Sequence, residues 1–325
     1  MDFVARIKGA LVAAALVLLA ASCAKEAKQI EDAVERRVLA AHLTTVYKDT
    51  LKELPSGSYL MTKKKGDGKL VTLSSSVFVK YSRLNLKNEY DQTNIEEIAK
   101  NVGGFSYSNY YGPSLFEIGN YTLSKGMEEA FIGMKEGAEF RVIIPSWASY
   151  PDYAGSARQS SSTTVYDFRI VKVVDDYDTY EIDTLESFSA KHYQGLDSLV
   201  TGFYFKHLQE GEGDSIKVGN TISYNYVGRL LDGFVFDTNI EDTARKYRIY
   251  QSDRTYTPVS FEVSQIGESN TNDESVVDGF AKALLNMKFG GKAVTFFSSQ
   301  WGYGEQNQNF GKKQQLHFYI EVLED

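Results

Sequence analysis

The side chains that most often make and break bonds are sparse in this chain. Its four histidines, His42, His192, His207 and His317, show no ligand or triad spacing, and Cys23 is the single cysteine. Aromatic residues are abundant instead, with 22 Tyr and 19 Phe, and two stretches combine them with glycines and an acid. Tyr224 to Asn239 reads YNYVGRLLDGFVFDTN and sets Asp237 directly after Phe236; Val276 to Gly304 reads VVDGFAKALLNMKFGGKAVTFFSSQWGYG. Rings beside one carboxylate, without a nucleophile or a metal cluster, suit non-covalent work, in which an apolar group is enclosed and its conformation biased by a few hydrogen bonds.

Short, regular elements must hold those residues. Val276, Val277, Phe280, Leu284 and Met287 recur at spacings of three and four, which predicts a short core helix with one apolar face. Gly290-Gly291 is expected to end it, Ala293 to Phe297 to form a buried strand, and Trp301 to Gly304 an aromatic-glycine turn. This pattern resembles the FKBP-type peptidyl-prolyl isomerases, in which a helix entered through a hydrophobic-hydrophobic-x-Gly-aromatic segment lies across a curved antiparallel sheet. Tyr224 to Asn239 is similar to that family's Y-x-G-x-L-x-D-G-x-x-F-D, and LHFYIEV, Leu316 to Val322, looks like its last strand. The three segments follow family order over Gly202 to Asp325.

The resemblance implies prolyl isomerisation. Resonance holds the peptide bond planar behind a barrier of about 18–20 kcal/mol, and X-Pro is the bond whose cis and trans forms lie close in energy. The residues at family pocket positions are Tyr226, Phe236, Asp237, Val276, Val277, Phe280, Tyr303 and Phe318. The resemblance makes Phe280 the floor, a place usually taken by Trp, and Tyr226, Phe236 and Phe318 the walls. It assigns the Val277 N–H to the substrate carbonyl, the Tyr303 hydroxyl to a hydrogen bond, and Asp237 to polarising the site; Val259 and Phe261 join Val276 as substrate-binding positions. No cofactor or metal is implied. The loop Glu305 to Gln315, EQNQNFGKKQQ, lacks the family's usual Ile-Pro pair. Between Asp237 and Pro258, Arg245, Lys246, Arg248 and Arg254 sit among tyrosines, either as a polypeptide-contact surface or as a solvated loop.

The chain repeats itself at a constant offset of 145, pairing Gly57 with Gly202, Tyr81 with Tyr226, Thr93-Asn94-Ile95-Glu96 with Thr238-Asn239-Ile240-Glu241, and Pro113 with Pro258. The offset becomes 153 from Met134 and Met287 onward, because the second copy carries extra polar residues around Gly267 to Ser275. The expected architecture is α+β: two tandem FKBP-like domains, residues 55–175 and 201–325, each a curved antiparallel sheet wrapped on a short helix. Residues 176–200 read as a linker with a possible short helix at Thr184 to Leu199, and the acidic run Asp175 to Asp178 as solvated linker. The first copy looks degenerate. Lys87-Asn88 replaces Asp-Gly, Gln92 takes the acid's place unless a one-residue shift brings in Asp91, Met127 takes the floor, and Ser124 stands where Val277 does; Tyr81, Tyr150 and Tyr166 remain. Its aromatic segment FSYSNYYG, Phe105 to Gly112, fits either a grip on unfolded chains or a strand edge packed on its own domain.

Residues 1–23 read as a lipoprotein signal peptide: Arg6 and Lys8, an apolar run from Ala10 to Ala21, then Cys23 where a bacterial lipobox places the lipid-accepting residue. A dozen apolar residues is short of the roughly 20 that span a bilayer. An ordinary secretory signal with an incidental cysteine is the alternative. Residues 24–54, with Ile30, Val34, Val38 and Ala41 in helical spacing, read as a helical tether. The net charge of −8 argues against a nucleic-acid partner. The expectation is an outer-membrane lipoprotein of the cell envelope, anchored through Cys23, that acts on proline-containing polypeptides and assists the folding of exported proteins. Its second domain would be the isomerase and its first inactive; the rival reading is a non-catalytic polypeptide-binding module in a membrane-associated complex.

Overall fold

The computed structural model describes residues 33–48, 50–150, 160, 162–263 and 276–324. The signal segment 1–23 with Cys23, the start of the tether and the polar insertion Gly267 to Ser275 lie outside the described residues. No described helix is long and apolar enough to cross a membrane.

Two antiparallel sheets carry the same strand plan. The first comprises β1 (Lys52–Glu53), β2 (Tyr59–Lys64), β3 (Ser76–Leu84), β4 (Tyr90–Thr93), β5 (Ser114–Glu117), β6 (Glu139–Ile144) and β7 (Thr164–Val174), ordered β1-β2-β6-β7-β3-β4 with β5 also on β3. The second comprises β8 (Phe203–Gln209), β9 (Thr221–Leu230), β10 (Val235–Thr238), β11 (Val259–Glu262), β12 (Lys292–Phe297) and β13 (Leu316–Val322), ordered β10-β9-β13-β12-β8 with β11 also on β9. The helices repeat in the same order. Helix α1 (33–42), α2 (Glu96–Asn101) and α3 (Lys125–Phe131) accompany the first set of strands; α4 (Tyr177–Tyr193), α5 (Glu241–Lys246) and α6 (Asp278–Leu284) accompany the second. The chain divides into two compact units. Described residues up to 74, 81–93 and 117–173 form one, and residues 75–80, 94–116 and 174 onward the other.

The second sheet shows why its residues take these places. Along β12, Ala293, Val294, Phe296 and Phe297 are all buried, a continuous apolar run of the kind found when both faces of a strand are covered. One face packs with α6, where Phe297 and Ala293 share a cluster with Phe280 and Leu284. The other packs with α4, where Phe296 and Tyr204 cluster with Leu185. This second cover corrects the linker reading. The acidic run, exposed at Asp175, Asp176 and Asp178 as expected, begins the helix: Asp176 is its N-cap, its Oδ1 accepting the Thr179 N–H at 3.1 Å and its Oδ2 the Thr179 hydroxyl at 2.7 Å.

The tether reading is corrected likewise from residue 33 onward. Helix α1 continues into a π-helical turn, Leu43–Tyr47. Leu39 and Tyr47 are buried with Ile143 and Val165 of the first sheet. A carboxylate fastens each of these helices to its own sheet. Glu35 Oε1 accepts the Ser146 N–H at 3.0 Å, and Glu181 Oε1 accepts the Ser299 N–H at 2.7 Å. The repeat therefore starts before its first strand, and each copy includes its preceding helix. A further difference concerns α6, which stops at Leu284; Gly290, at φ +76, serves the turn into β12 instead of the helix end.

Candidate active site

Alternation along β9 sets Tyr224, Tyr226 and Gly228 on one face of the second sheet. β10 runs antiparallel beside it, with Asp237 opposite Gly228, Val235 opposite Arg229 and the register slipping between them at Phe236. Phe318 on β13 also lies opposite Gly228. A Cβ at position 228 would stand 2.7 Å from the Phe236 ring and 2.9 Å from the Phe318 ring. Glycine is therefore what allows the two rings to meet over the strand. They do so edge to face, with centroids 5.8 Å apart. Phe318 meets Phe280 of α6 at 5.1 Å, and Phe280 meets Tyr226 at 6.1 Å and 84°. Phe280 and Phe318 are buried, whereas Tyr226, Phe236 and Tyr303 are partly exposed.

A polar network borders these rings. Asp237 Oδ2 accepts the Tyr226 hydroxyl at 2.5 Å, and its Oδ1 accepts Arg254 Nη1 at 2.5 Å and the Thr238 N–H at 2.9 Å. Arg254 Nη2 donates to the Tyr226 oxygen at 3.3 Å. Burial, reinforced by the Asp237 carboxylate, raises the Tyr226 pKa well above the usual phenol value, so the ring keeps its proton. Burial and then Asp237 raise Tyr303 in the same way. Tyr226 thus spends its one proton on Asp237, whose charge Arg254 balances, and Tyr303 stands beside the network as a phenolic donor.

Val277, extended at φ −64 and ψ 150, is the N-cap of α6, where backbone N–H groups lie outside the helical ladder. Val276 and Val259 are partly buried against the same cluster. Phe261 is 5% exposed, as deeply set as Phe318, and its ring stands edge-on to Tyr224 at 6.5 Å.

Three contributors escape a reading by motif. Arg254 belongs to the segment that reads equally well as contact surface or solvated loop, yet it closes the Asp237 network. Phe310, from the loop without Ile-Pro, is 5% exposed and packs on Phe236 at 4.8 Å and on Tyr303 at 6.0 Å. Asn239 stitches a gap where β11 pairs Thr221 to Tyr224 of β9 and β10 pairs Val227 to Arg229, leaving Tyr226 between them. Its Oδ1 accepts the Tyr226 N–H at 2.8 Å, and its Nδ2 donates to the carbonyls of Tyr224 at 3.0 Å and Thr257 at 2.9 Å. The sequence signal for Asn239 is its recurrence as Asn94, whose Nδ2 likewise donates to the Val79 carbonyl at 3.0 Å. In the aromatic segment, Phe105 packs on Tyr107 and Tyr111. Within the same unit, Tyr110 packs on Phe234 at 5.1 Å and donates to Asp232 Oδ2 at 2.9 Å, so that ring is engaged.

In the first copy, strand register decides which residue replaces the acid. Arg83 lies opposite Gln92 on β4, as Gly228 lies opposite Asp237. Gln92 is therefore the counterpart of Asp237, and Asp91 that of Phe236. Tyr81 keeps its partner, hydrogen-bonding to Gln92. Met127 is buried in α3, and Ser124 is the N-cap residue of that helix, as Val277 is of α6.

A sequence model of the FKBP-type peptidyl-prolyl cis-trans isomerase family matches residues 98–171 and 213–323, together more than half of the chain. The chain is 29% identical over 143 residues to a protein of Haemophilus influenzae described as a probable FKBP-type peptidyl-prolyl cis-trans isomerase, covering 43% of this chain and 50% of that protein. It is 29% identical over 135 residues to the peptidyl-prolyl cis-trans isomerase Mip of Coxiella burnetii, covering 41% and 49%. It thus spans about half the length of the curated relatives it matches. A solved peptidyl-prolyl cis-trans isomerase of Pseudomonas syringae is 25% identical, with 46% of this chain and 96% of that one covered and a TM-score of 0.32. The chain belongs to the FKBP-type peptidyl-prolyl cis-trans isomerase family.

Proposed function

We propose that the second repeat catalyses cis-trans isomerisation of X-Pro bonds in polypeptides. The observation that carries this reading is the juxtaposition, around Gly228, of a partly open aromatic cluster with the Asp237–Tyr226–Arg254 network. Rotation needs no bond to be made. The proline ring enters between Tyr226, Phe236 and Phe318 with Phe280 beneath it, and water leaves the amide that resonance keeps planar. The Val277 N–H and the Tyr303 hydroxyl hold carbonyls of the substrate, and the dipoles around Asp237 favour the twisted amide over the planar one. The first repeat, with Met127, Gln92 and Ser124 at the matching places, contributes no isomerisation.

The test is a protease-coupled isomerisation assay on the chain without residues 1–23, beside Phe236→Ala and Tyr303→Ala. The expected result is acceleration that both substitutions reduce at least tenfold. A folded protein that gives only the uncatalysed rate would favour the polypeptide-binding module.

We further propose that residues 1–23 direct export and that Cys23 is acylated, making the protein an outer-membrane lipoprotein that assists folding of exported proteins. Several acyl chains on one residue anchor stably, since each buried methylene contributes about 0.8 kcal/mol. Cys23→Ala should move the protein from the membrane fraction to the soluble one; retention in the membrane would refute the anchor.

A further inference from the structure

We infer that the first repeat holds a binding site for a neutral saccharide at the position where the second repeat has its prolyl pocket. Three residues have changed together there. Gly228 is replaced by Arg83, Phe236 by Asp91, and Phe318 by Tyr166, which lies opposite Val142 on β6 as Phe318 lies opposite Thr295 on β12. These are the glycine and the two rings whose close approach builds the aromatic cluster. Their replacements also form a unit: Arg83 Nη2 pairs with Asp91 Oδ2 at 2.5 Å, and the guanidinium interacts with the Tyr166 hydroxyl. Loss of a function would leave unrelated side chains, whereas here one interacting trio has taken the place of another.

The trio opens onto a cavity of about 500 Å³, within the range of small-molecule sites. Most such sites are lined by apolar side chains; this one is lined chiefly by polar groups. Ser124, Ser162 and Thr164 bring hydroxyls, Ser149 brings one that already donates to the Ser146 carbonyl at 2.7 Å, and Glu89 brings a carboxylate whose Oε2 accepts from Asn85 Nδ2 at 2.6 Å. A proline ring would strip water from these groups and return no hydrogen bonds. An anion is disfavoured because the guanidinium is already paired with Asp91 and Glu89 stands nearby. What fits is a ligand without net charge whose groups both donate and accept, as hydroxyls do, and whose ring face can lie against Tyr90 or Tyr166, both of which line the cavity. Burial raises the Tyr166 pKa, so its hydroxyl stays protonated at neutral pH.

The test is saturation-transfer NMR on the full chain with cellobiose, mannobiose and N,N′-diacetylchitobiose as probes. At least one should bind, with affinity lowered tenfold or more by Arg83→Gln and by Ser124→Val, which restores the branched side chain of the second repeat, and unchanged by Phe236→Ala. Absence of binding by all three, or binding indifferent to both first-repeat substitutions, would overturn the inference. So would Arg83-dependent binding of inorganic phosphate or of a prolyl tetrapeptide in their place.

Discussion

His317 lies on β13 beside Phe318 of the aromatic cluster, and acidification should destabilise the second unit through it. It is 9% exposed, and its Nε2 lies 2.7 Å from the Tyr193 hydroxyl of α4. Burial above all, then the charges of Arg229 and His192, lowers its pKa from 6.5 to about 4. The folded protein therefore holds this ring neutral while the unfolded chain protonates it near pH 6.5. Above that value the residue has no effect on the pH dependence. As pH falls from 6.5 toward 4 the unfolded state takes up a proton that the native state refuses, and stability is lost; below 4 the loss is complete. The shift amounts to about 3 kcal/mol in full and about 2 kcal/mol at pH 5, a large share of a typical domain's roughly 5–15 kcal/mol. Urea unfolding at pH 7 and pH 5, in a Trp147→Phe background where Trp301 is the remaining tryptophan of the two, would report on the second unit. His317→Gln should shrink the stability difference between the two pH values by about 2 kcal/mol. Burial raises the pKa of Glu181, which acts in the opposite sense, stability falling as pH rises above 4.5, but that contribution is common to both proteins and cancels. An equal acid loss with and without His317 would refute the reasoning.

Gly228→Ala would drive a methyl group into the Phe236 and Phe318 rings; overpacking of this kind costs about 1–3 kcal/mol. Isomerase activity should fall at least tenfold, and retained activity would show that the rings need not meet over the strand. Asp237→Asn should weaken its pairing with Arg254 and lower activity at least tenfold, while Gln92→Ala leaves it unaltered; equal effects would remove the proposed division between the repeats. Glu181→Ala leaves the Ser299 N–H and hydroxyl without their carboxylate, at about 1–3 kcal/mol per buried unsatisfied group, and loosens the turn that leads to Tyr303. It should lower both the Tm and kcat/KM, with Glu181→Gln retaining more of each; a fall in Tm alone would make α4 a purely structural brace.

The strand plan was legible because an ungapped offset of 145 ties turn glycines, Tyr226 and the Asn239 segment to their counterparts, and because β9 and β12 carry strong apolar patterns. Other features had no local signature. In α4, the pattern is too polar to announce a buried face, and its apolar contacts Ile182, Leu185 and Phe188 follow an acidic run that reads as a solvated connection. Arg254 and Phe310 reach the pocket from loops, where no periodicity says which side chain turns inward. Period two places Val259 and Phe261 on one strand face, but position along the strand decides that Phe261 is buried in the core. The end of α6 eludes the sequence for a related reason. The helix closes with Leu285 as its C-cap, and Gly290 lies in the later turn that enters β12; a glycine marks a turn without saying whether the helix has already ended.

The two repeats share strand order, the Asn239 and Asn94 stitch, and a helix fastened by Glu181 or Glu35, so the scaffold does not distinguish their pockets. What differs is a handful of side chains, some over one strand and two, Ser124 and Met127, at the start of the facing helix. At position 228 the absence of a Cβ lets two rings meet over β9 in an apolar cluster; at the matching position stands an arginine, and the two facing residues become an acid and a phenol that pair with it. Each set is consistent only with itself. Arginine at 228 would collide with both rings, and glycine at 83 would leave Asp91 without its cation. Intermediates between the two sets combine the cost of each, which explains why the residues differ as a group. The pocket chemistry of each repeat is therefore decided at the strand position beneath it.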